Sequence, residues 1–229
     1  MCGVHQAHLL SCSCMKRILL LTLAVLIGCH SQPQPASAPA PHVQPAAATS
    51  NQPFDFYLLN LSWSPEFCHS HPTARECAQH AGFVLHGLWP QNDTGPYIEN
   101  CSDNPGPVNP SQYADIYPDP GLLRHEWQTH GTCSGLAPDD FFDLARGAYR
   151  SVAIPPLLTQ LKQQISLPPV QIISLIQDVN PTFAPNSIAI SCGNNYLTAV
   201  EVCMSKQGVP ISCGPIKSCR ANTVRITPP

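Results

Sequence analysis

Eight cysteines between residues 68 and 219 limit the folds open to this 229-residue chain more strongly than any other feature of its sequence. The leader described below indicates export, and an even number of cysteines in an exported chain predicts a disulfide framework. Eight cysteines can pair in about a hundred ways, so their spacing leaves the connectivity open. None of them forms a CxxC pair, which disfavours a zinc ribbon. The eight are Cys68, Cys77, Cys101, Cys133, Cys192, Cys203, Cys213 and Cys219.

A leader precedes the cysteine-rich region. Residues 15–29 read MKRILLLTLAVLIGC, a basic start followed by an apolar run that is too short to span a bilayer. This layout predicts a signal peptide over residues 15–28. Its end, Leu26-Ile27-Gly28-Cys29, resembles the lipobox of bacterial lipoproteins, in which the cysteine is acylated and becomes the new N-terminus. Lipidation is therefore predicted at Cys29, and the alternative is an ordinary cleaved signal in which that cysteine is incidental.

The leader also suggests the domain boundaries. Met15 is the expected start, which makes residues 1–14 a mis-called upstream extension. Residues 29–53 are rich in proline, alanine and glutamine without a core-forming pattern, which predicts a tether. The folded domain is expected over residues 54–222, with a tail at 223–229.

The charge balance excludes one class of function. The chain has 14 acidic residues against 11 lysines and arginines, and removal of the signal with Lys16 and Arg17 leaves a formal charge of −5. A protein that binds nucleic acid passively usually carries a basic stripe, and this sequence has none. If RNA is the partner, it is therefore a substrate held at a few points.

Hydrophobic patterning predicts an α+β domain in which helices flank a central, mostly antiparallel sheet. The apolar runs Phe54–Trp63 and Gly82–Trp89 are typical of buried strands. Asp119 and Pro120 suit the start of a helix that Gly131 would end. Further helices are predicted at Asp139–Arg150, Pro156–Ile165 and Val170–Val179, and a strand pair at Ser187–Cys192 and Leu197–Met204.

The stretch HEWQTH at residues 125–130 gives the predicted helix a polar face. At about 100° per residue, His125, Glu126, Thr129 and His130 share an arc of about 140°. Zinc proteases use HExxH with ligands one turn apart, whereas these two histidines are five positions apart and splayed. The register therefore predicts no metal site, and no cofactor is expected.

A further histidine favours catalysis over a polar helix end with satisfied side chains. His86 interrupts the apolar run FVLHGLWP, and a buried imidazole must be hydrogen-bonded or face a cleft. Histidine titrates at roughly pH 6.5, so one imidazole can accept a proton while another donates one. Three histidines and a carboxylate suit acid–base chemistry on an anionic substrate.

Two segments together resemble the active-site segments of the ribonuclease T2 family. They are FVLHGLWP at 83–90 and HEWQTHGTC at 125–133, and their order and separation also agree with the family pattern. The opening strand FDFYLLNLSWSPEFC and the C-terminal cysteine segments are similar as well, so the resemblance runs from Phe54 to about Cys219. It implies a ribonuclease T2-type fold.

The resemblance implies metal-independent endonucleolytic cleavage of single-stranded RNA with low base specificity. The ribose 2′-hydroxyl attacks the adjacent phosphorus and leaves a 2′,3′-cyclic phosphate, so DNA, which lacks that hydroxyl, is not cut. By position, His130 would be the general base, His86 the general acid, His125 a phosphate ligand and Glu126 a group that stabilises the pentacovalent state. The sequence itself leaves open which histidine is base and which is acid.

Other family positions imply substrate contacts and disulfide pairing. Trp89 matches a position that stacks a base, worth about 1–3 kcal/mol, and its alternative is a core tryptophan. Gln91 stands where some relatives carry an acidic base-reading residue, so strong base preference is not carried over. Thr129 replaces the usual lysine and can hydrogen-bond phosphate without adding charge. The implied disulfides are Cys68–Cys77, Cys101–Cys133, Cys192–Cys219 and Cys203–Cys213.

Replacing Thr129 by lysine should change the rate or the pH dependence of cleavage without creating an activity that the natural protein lacks. An added cation on the catalytic face lowers the pKa of neighbouring imidazoles, so the pH–rate profile should shift. Profiles of the variant and the natural protein, measured on one RNA substrate, test this. Superimposable profiles would contradict it.

The sequence thus predicts an exported, monomeric endoribonuclease that is periplasmic and tethered to the outer membrane only through the lipid at Cys29. His30 follows that cysteine where an acidic retention residue would stand, which favours outer-membrane delivery. One alternative is a catalytically impaired, RNA-binding envelope lipoprotein of the same fold, supported by the lysine missing at position 129. A structural envelope lipoprotein would explain the leader but not the two motifs.

Overall fold

The computed structural model of the protein describes residues 54–79 and 81–229. The predicted upstream extension, signal peptide, lipidated Cys29 and tether lie outside these residues and stay predictions. Across the described part of the chain, no helix combines the length and the apolar character needed to cross a bilayer.

One sheet of six strands forms the centre of the described domain. The strands are β1 (Phe56–Trp63), β2 (Phe83–Gln91), β3 (Ile165–Leu167), β4 (Ile188–Gly193), β5 (Tyr196–Met204) and β6 (Val224–Ile226). Their order is β2-β1-β5-β6-β3, and β4 pairs with β5 off this path. Every pairing is antiparallel except the short contact between β5 and β6. The predicted α+β class with a mostly antiparallel sheet is confirmed.

Helices connect the strands and cover the sheet. They are α1 (Ser64–Ser70), α2 (Pro120–Thr129), α3 (Pro138–Ser151), α4 (Pro156–Thr159) and α5 (Pro169–Val179). Each has a proline in its first turn, where the missing N–H leaves no intrahelical bond unmade. The predicted start of α2 is confirmed, because the Asp119 carboxylate accepts a hydrogen bond from the Gly121 N–H at 2.8 Å.

The two faces of β1 serve different purposes. Leu59, Leu61 and Trp63 point into the main core, which also contains Phe141 and Phe142 of α3. The alternate residues point the other way, where Phe56 and Leu58 join a smaller apolar cluster and Asn60 and Ser62 form a polar surface. This second face carries part of the candidate site.

A β-bulge in β2 determines which of its side chains reach that face. Strict alternation would point His86 and Trp89 to opposite faces, because they are three positions apart. The register with β1 pairs Asn60 with Gly87 but Leu61 with Leu85, which leaves His86 as the extra residue. As a result Leu85 and Leu88 are both buried, while His86 and Trp89 both stay partly exposed.

The predicted helix Pro156–Ile165 is wrong over its second half. The helix ends at Thr159, and Ile165 begins β3. The backbone of this strand pairs with β6, and Ile165 lies opposite Ile226. Tertiary pairing with a distant segment thus overrides the local helical pattern.

The predicted tail at residues 223–229 belongs to the fold, because it contains β6. Val224 and Ile226 are fully buried in the main core. The Trp63 indole N–H also donates a hydrogen bond to the Thr227 carbonyl at 3.1 Å. The domain boundary at residue 222 is therefore corrected to include these residues.

Four disulfides join the eight cysteines in the pairs that the family resemblance implies. They are Cys68–Cys77, Cys101–Cys133, Cys192–Cys219 and Cys203–Cys213. The second of these fastens the long segment after β2 to the turn that follows α2. Backbone bonding supports the same junction, since the Asn100 N–H donates to the Thr129 carbonyl at 2.8 Å.

Candidate active site

Two elements bring the predicted catalytic residues together. The bulged part of β2 supplies His86 and Trp89, and the C-terminal half of α2 supplies His125 and Glu126 with His130 at its cap. The side chains from the two elements meet at Glu126. All five were predicted from the sequence, and side-chain contacts link all five into one cluster.

Glu126 is the buried centre of the site, with 0% of its surface exposed. Its Oε2 accepts a hydrogen bond from the Trp89 indole N–H at 2.9 Å. Its Oε1 has no hydrogen-bond partner among the described residues and lies 3.6 Å from His86 Nε2. Burial raises the pKa of Glu126 from 4.5 to about 8, against a smaller lowering by the Trp89 bond. The free protein therefore keeps a neutral carboxyl here at pH 7, and this group can donate a proton or a hydrogen bond.

His130 is buried at the C-terminal cap of α2. Its Nδ1 lies 3.4 Å from the Tyr97 hydroxyl, and its ring centroid lies 5.2 Å from that of Trp89. Burial lowers the pKa of His130 from 6.5 to about 4, and nearby His125 and His86 lower it further. At neutral pH this imidazole is uncharged and able to accept a proton.

His86 is more accessible, with 40% of its side chain exposed. Its Nδ1 lies 3.2 Å from the Ser62 hydroxyl, and its ring packs edge-on against Trp89 at 5.2 Å. Partial burial, and then the proximity of His125, lower the pKa of His86. Trp89 therefore packs against both of the histidines that were predicted to act as acid and base.

His125 and Thr129 form the exposed edge of the cleft. The Thr129 hydroxyl lies 3.3 Å from His125 Nδ1, and the His125 ring centroid lies 6.3 Å from that of His130. This pair sits where the predicted arc places it. A hydroxyl and an imidazole at the cleft edge can both contact an anionic group.

Two glycines make room for the site. An added Cβ at Gly87 would overlap the hydrogen bond between Trp89 and Glu126 and would lie 2.9 Å from Glu126 Cδ. An added Cβ at Gly131 would collide with the Trp127 ring, which packs under the end of α2. Neither glycine has a positive φ, so the constraint is space and not backbone conformation.

The side chains of His125 and His130 were expected to splay apart on the helix, and this expectation is wrong. Ligand atoms of His125, Glu126 and His130 lie within 4.8 Å of one another and could hold a metal ion. His130 is the cap residue with a φ of −117°, so ideal helix angles do not describe its direction. The protonated state of Glu126 opposes coordination, because a metal must displace that proton. The donor set is thus geometrically suitable and electrostatically unfavourable.

Two contacts in the site were not predicted from the sequence. Ser62 reaches His86 only because of the β2 bulge, which no sequence pattern indicates. Tyr97 lies in an irregular segment rich in proline, asparagine and glycine, where side-chain direction follows no period. Gln91, a predicted substrate contact, ends β2 with its amide nitrogen buried and without a hydrogen-bond partner in the described structure.

Conformational stability is expected to fall by about 2 kcal/mol between pH 6.5 and 8. The folded state holds the Glu126 proton up to pH 8, whereas the unfolded chain releases it near 4.5, so stability declines as pH rises through this range. His130 acts oppositely, since its lowered pKa removes stability as pH falls from 6.5 towards 4. The two slopes cancel from pH 4.5 to 6.5, and the decline from Glu126 is left above pH 6.5.

Urea unfolding at pH 5.5, 6.5 and 8 measures this decline, with Glu126→Gln as the control in which it should vanish. Stability that rises from pH 6.5 to 8 would contradict a protonated Glu126 in the folded protein.

Comparison with known proteins supports the family resemblance that the sequence motifs indicate. The model of the Ribonuclease T2 family matches residues 54–213. The chain is 49% identical over 94 residues to a protein named "Ribonuclease" from Aeromonas hydrophila, covering 40% of this chain and 43% of the relative. It is 31% identical over 125 residues to a protein named "Probable ribonuclease" from Haemophilus influenzae, covering 45% of each. The matched part is less than half the length of these curated relatives.

A solved structure shares the fold. Ribonuclease MC1 from the seeds of bitter gourd superimposes with a TM-score of 0.62 at 21% identity, over 75% of this chain and 99% of that one. At this identity the likeness establishes the architecture and leaves the chemistry to the residues of the cleft.

Proposed function

Because the chain belongs to the ribonuclease T2 family, we propose that it is an endoribonuclease that cleaves single-stranded RNA to 2′,3′-cyclic phosphate ends. The observation that carries this proposal is that His86 and His130 both pack against Trp89 and both lie close to the buried carboxyl of Glu126. Its substrate must have a 2′-hydroxyl, so DNA is excluded.

His130 is the general base. Its pKa of about 4 keeps the imidazole neutral at physiological pH, so a nitrogen lone pair is available to take the proton of the 2′-hydroxyl. The oxygen then attacks the adjacent phosphorus. Tyr97 supports this role, because a hydroxyl 3.4 Å from Nδ1 helps to orient the ring and leaves Nε2 for the substrate.

His86 is the general acid. As the bond between phosphorus and the 5′-oxygen breaks, the leaving oxygen takes a proton from the His86 imidazolium. Burial, and then the proximity of His125, lower the pKa of His86 in the free protein. A phosphate anion beside the ring favours the charged imidazole and so opposes this lowering. Ser62 at 3.2 Å from Nδ1 fixes the ring.

Glu126 and His125 stabilise the charge that builds up on the phosphoryl oxygens. A neutral carboxyl can donate a hydrogen bond to such an oxygen, whereas a carboxylate would repel it, so the raised pKa of Glu126 serves the reaction. Its Oε1, buried and without a hydrogen-bond partner among the described residues, is the atom available for this bond. His125 and Thr129 approach from the exposed edge.

Base recognition on the 5′ side of the cleaved bond is expected to be weak. Trp89 offers a stacking surface, which accepts any base, and its N–H is occupied by Glu126. Gln91 is uncharged, so no carboxylate selects a base at that position. We propose low specificity for this nucleotide.

Incubation of the protein with single-stranded RNA in excess chelator tests the function. The expected result is degradation to fragments whose mass shows 2′,3′-cyclic phosphate ends, while DNA of the same sequence stays intact. Loss of the activity in chelator would overturn the metal-independent mechanism. Intact RNA under all conditions would overturn the enzyme and favour an RNA-binding role.

We also propose that the protein is held at the periplasmic side of an outer membrane by a lipid on Cys29. The four disulfides are consistent with export, and the leader supports the anchor. Labelling of cells with a fatty-acid probe should mark the natural protein and not Cys29→Ser. Equal labelling of the two would refute the anchor.

A further inference from the structure

The segment that follows β1 is held to the protein by few buried side chains. It runs from residue 64 to residue 79 and consists of α1, a turn and a short 3-10 helix at Arg75–Gln79. In α1 only Ser64 is buried, and none of the 5 residues of the 3-10 helix is buried. A disulfide joins Cys68 of α1 to Cys77 of the 3-10 helix. This bond, more than core packing, therefore fixes the shape of what we call the stapled segment.

The four disulfides differ in how easily a reagent can reach them. Cys68 and Cys77 are both partly exposed and lie 9 positions apart. Each of the other three bonds has a cysteine in or against the apolar interior, since Cys133 and Cys203 are 0% exposed and Cys192 packs against the main core. Reduction requires a thiolate to reach a sulfur, and a bond that closes a short loop contributes least to the stability of the fold. A reductant should therefore open the bond of the stapled segment first.

The stapled segment also forms a wall beside His86. Two cavities, of about 520 Å³ and about 70 Å³, are each lined by Phe67 of the stapled segment together with Ser62 and His86. The Phe67 ring stacks on the His71 ring with their centroids 4.4 Å apart, so Phe67 is held by its own segment. Movement of the stapled segment would therefore change the surroundings of His86.

We propose that the Cys68–Cys77 bond is a redox-sensitive site, which a dithiol reduces before the other three disulfides and whose opening slows RNA cleavage by releasing Phe67 from the wall beside His86. This inference rests on the proposed function, in which His86 is the general acid. One thiolate of the dithiol attacks a sulfur of the bond and forms a mixed disulfide, and its second thiol then attacks that mixed disulfide. Cys68 and Cys77 end as thiols and the dithiol ends as a disulfide, so electrons and protons balance.

The effect of reduction should depend on the substrate. Without the bond the stapled segment loses its fixed shape, and Phe67 no longer confines the His86 ring. Misplacement of a catalytic group by about 1 Å can cost roughly 100-fold, and for a loosened wall we expect a loss of about 10-fold in kcat/KM on RNA. A uridine 3′-phosphodiester with a nitrophenol leaving group needs no acid, so its cleavage should change little. Unfolding of the whole protein would instead abolish cleavage of both substrates.

Titration of the natural protein with dithiothreitol tests the inference. At each concentration the free thiols are labelled with iodoacetamide and located by peptide mass mapping, and kcat/KM is measured on RNA and on the nitrophenyl substrate. Label should appear at Cys68 and Cys77 before any other cysteine, together with the loss on RNA alone, and reoxidation should restore the activity. Earlier labelling of another pair, or undiminished RNA cleavage by protein labelled at both positions, would overturn the inference.

Two substitutions separate the wall from the bond itself. Phe67→Ala, with the disulfide intact, should show the same loss on RNA, and dithiothreitol should then add nothing to it. Val209→Ala, the matched removal of an exposed apolar side chain outside the stapled segment, should keep full activity and the natural response to dithiothreitol. A response that persists in Phe67→Ala would refute the role of this ring. Failure of the oxidised natural protein to cleave RNA would overturn the proposed function itself.

Discussion

The His130→Ala and His86→Ala variants are each expected to lose about 10³-fold in kcat/KM on RNA, since each removes a group that we propose moves a proton in the transition state. The two variants should respond differently to a substrate with a better leaving group. A uridine 3′-phosphodiester with a nitrophenol leaving group needs no protonation of the departing oxygen. His86→Ala should therefore recover most of its activity on this substrate, whereas His130→Ala should not, because the 2′-hydroxyl must still be deprotonated.

This comparison assigns base and acid, which the sequence left open. His69→Ala provides the matched control, since His69 is an exposed histidine on α1 and should retain full activity. Recovery of His130→Ala instead of His86→Ala would reverse the two roles. Recovery of neither would show that both histidines act before the leaving group departs.

The Gly87→Ala variant should lose about 100-fold in kcat/KM although it adds a single methyl group. The new carbon would occupy the space through which the Trp89 indole bonds the Glu126 carboxyl, so one or both groups must move. Displacement of a catalytic group by about 1 Å is enough for a loss of this size. Overpacking at a buried position should also lower stability by about 1–3 kcal/mol.

Gly147→Ala is the control for this substitution. Gly147 lies within α3, and an added Cβ there meets nothing within 4 Å. Alanine is the better helix former by about 1 kcal/mol, so this variant should be slightly more stable and fully active. Measuring kcat/KM and urea unfolding for both variants tests the steric account, and natural activity in Gly87→Ala would refute it.

The polar face of α2 could be predicted from the sequence because a helix has one period and clear end signals. Asp119, Pro120 and Gly131 mark its ends, and the angular positions of His125 and Glu126 follow from them. His130 lies one residue beyond the helix, where that period no longer holds. Its closeness to the other two side chains was therefore missed.

The other differences between the predicted and the observed elements arise because segments that are distant in the sequence pair with each other. β3 and β6 are three residues each, too short for a hydrophobic pattern. They form because β3 pairs with β6 and β6 pairs with β5. The hydrogen bond from Asn60 to Glu201 likewise depends on β1 and β5 lying side by side, where these two residues stand opposite each other. A local pattern contains no information about which distant segment a strand will meet.

The bulge in β2 makes the length of that strand as important as its composition. Two residues separate Leu85 from Leu88, and this count alone keeps His86 and Trp89 on one face while both leucines remain in the core. Loss or gain of one residue there would turn every later side chain of the strand to the opposite face. An insertion or deletion there would separate His86 from its aromatic neighbour Trp89 in one step. Engineering of this strand therefore has to keep the number of residues between Leu85 and Leu88, and this matters more than the identity of any one side chain.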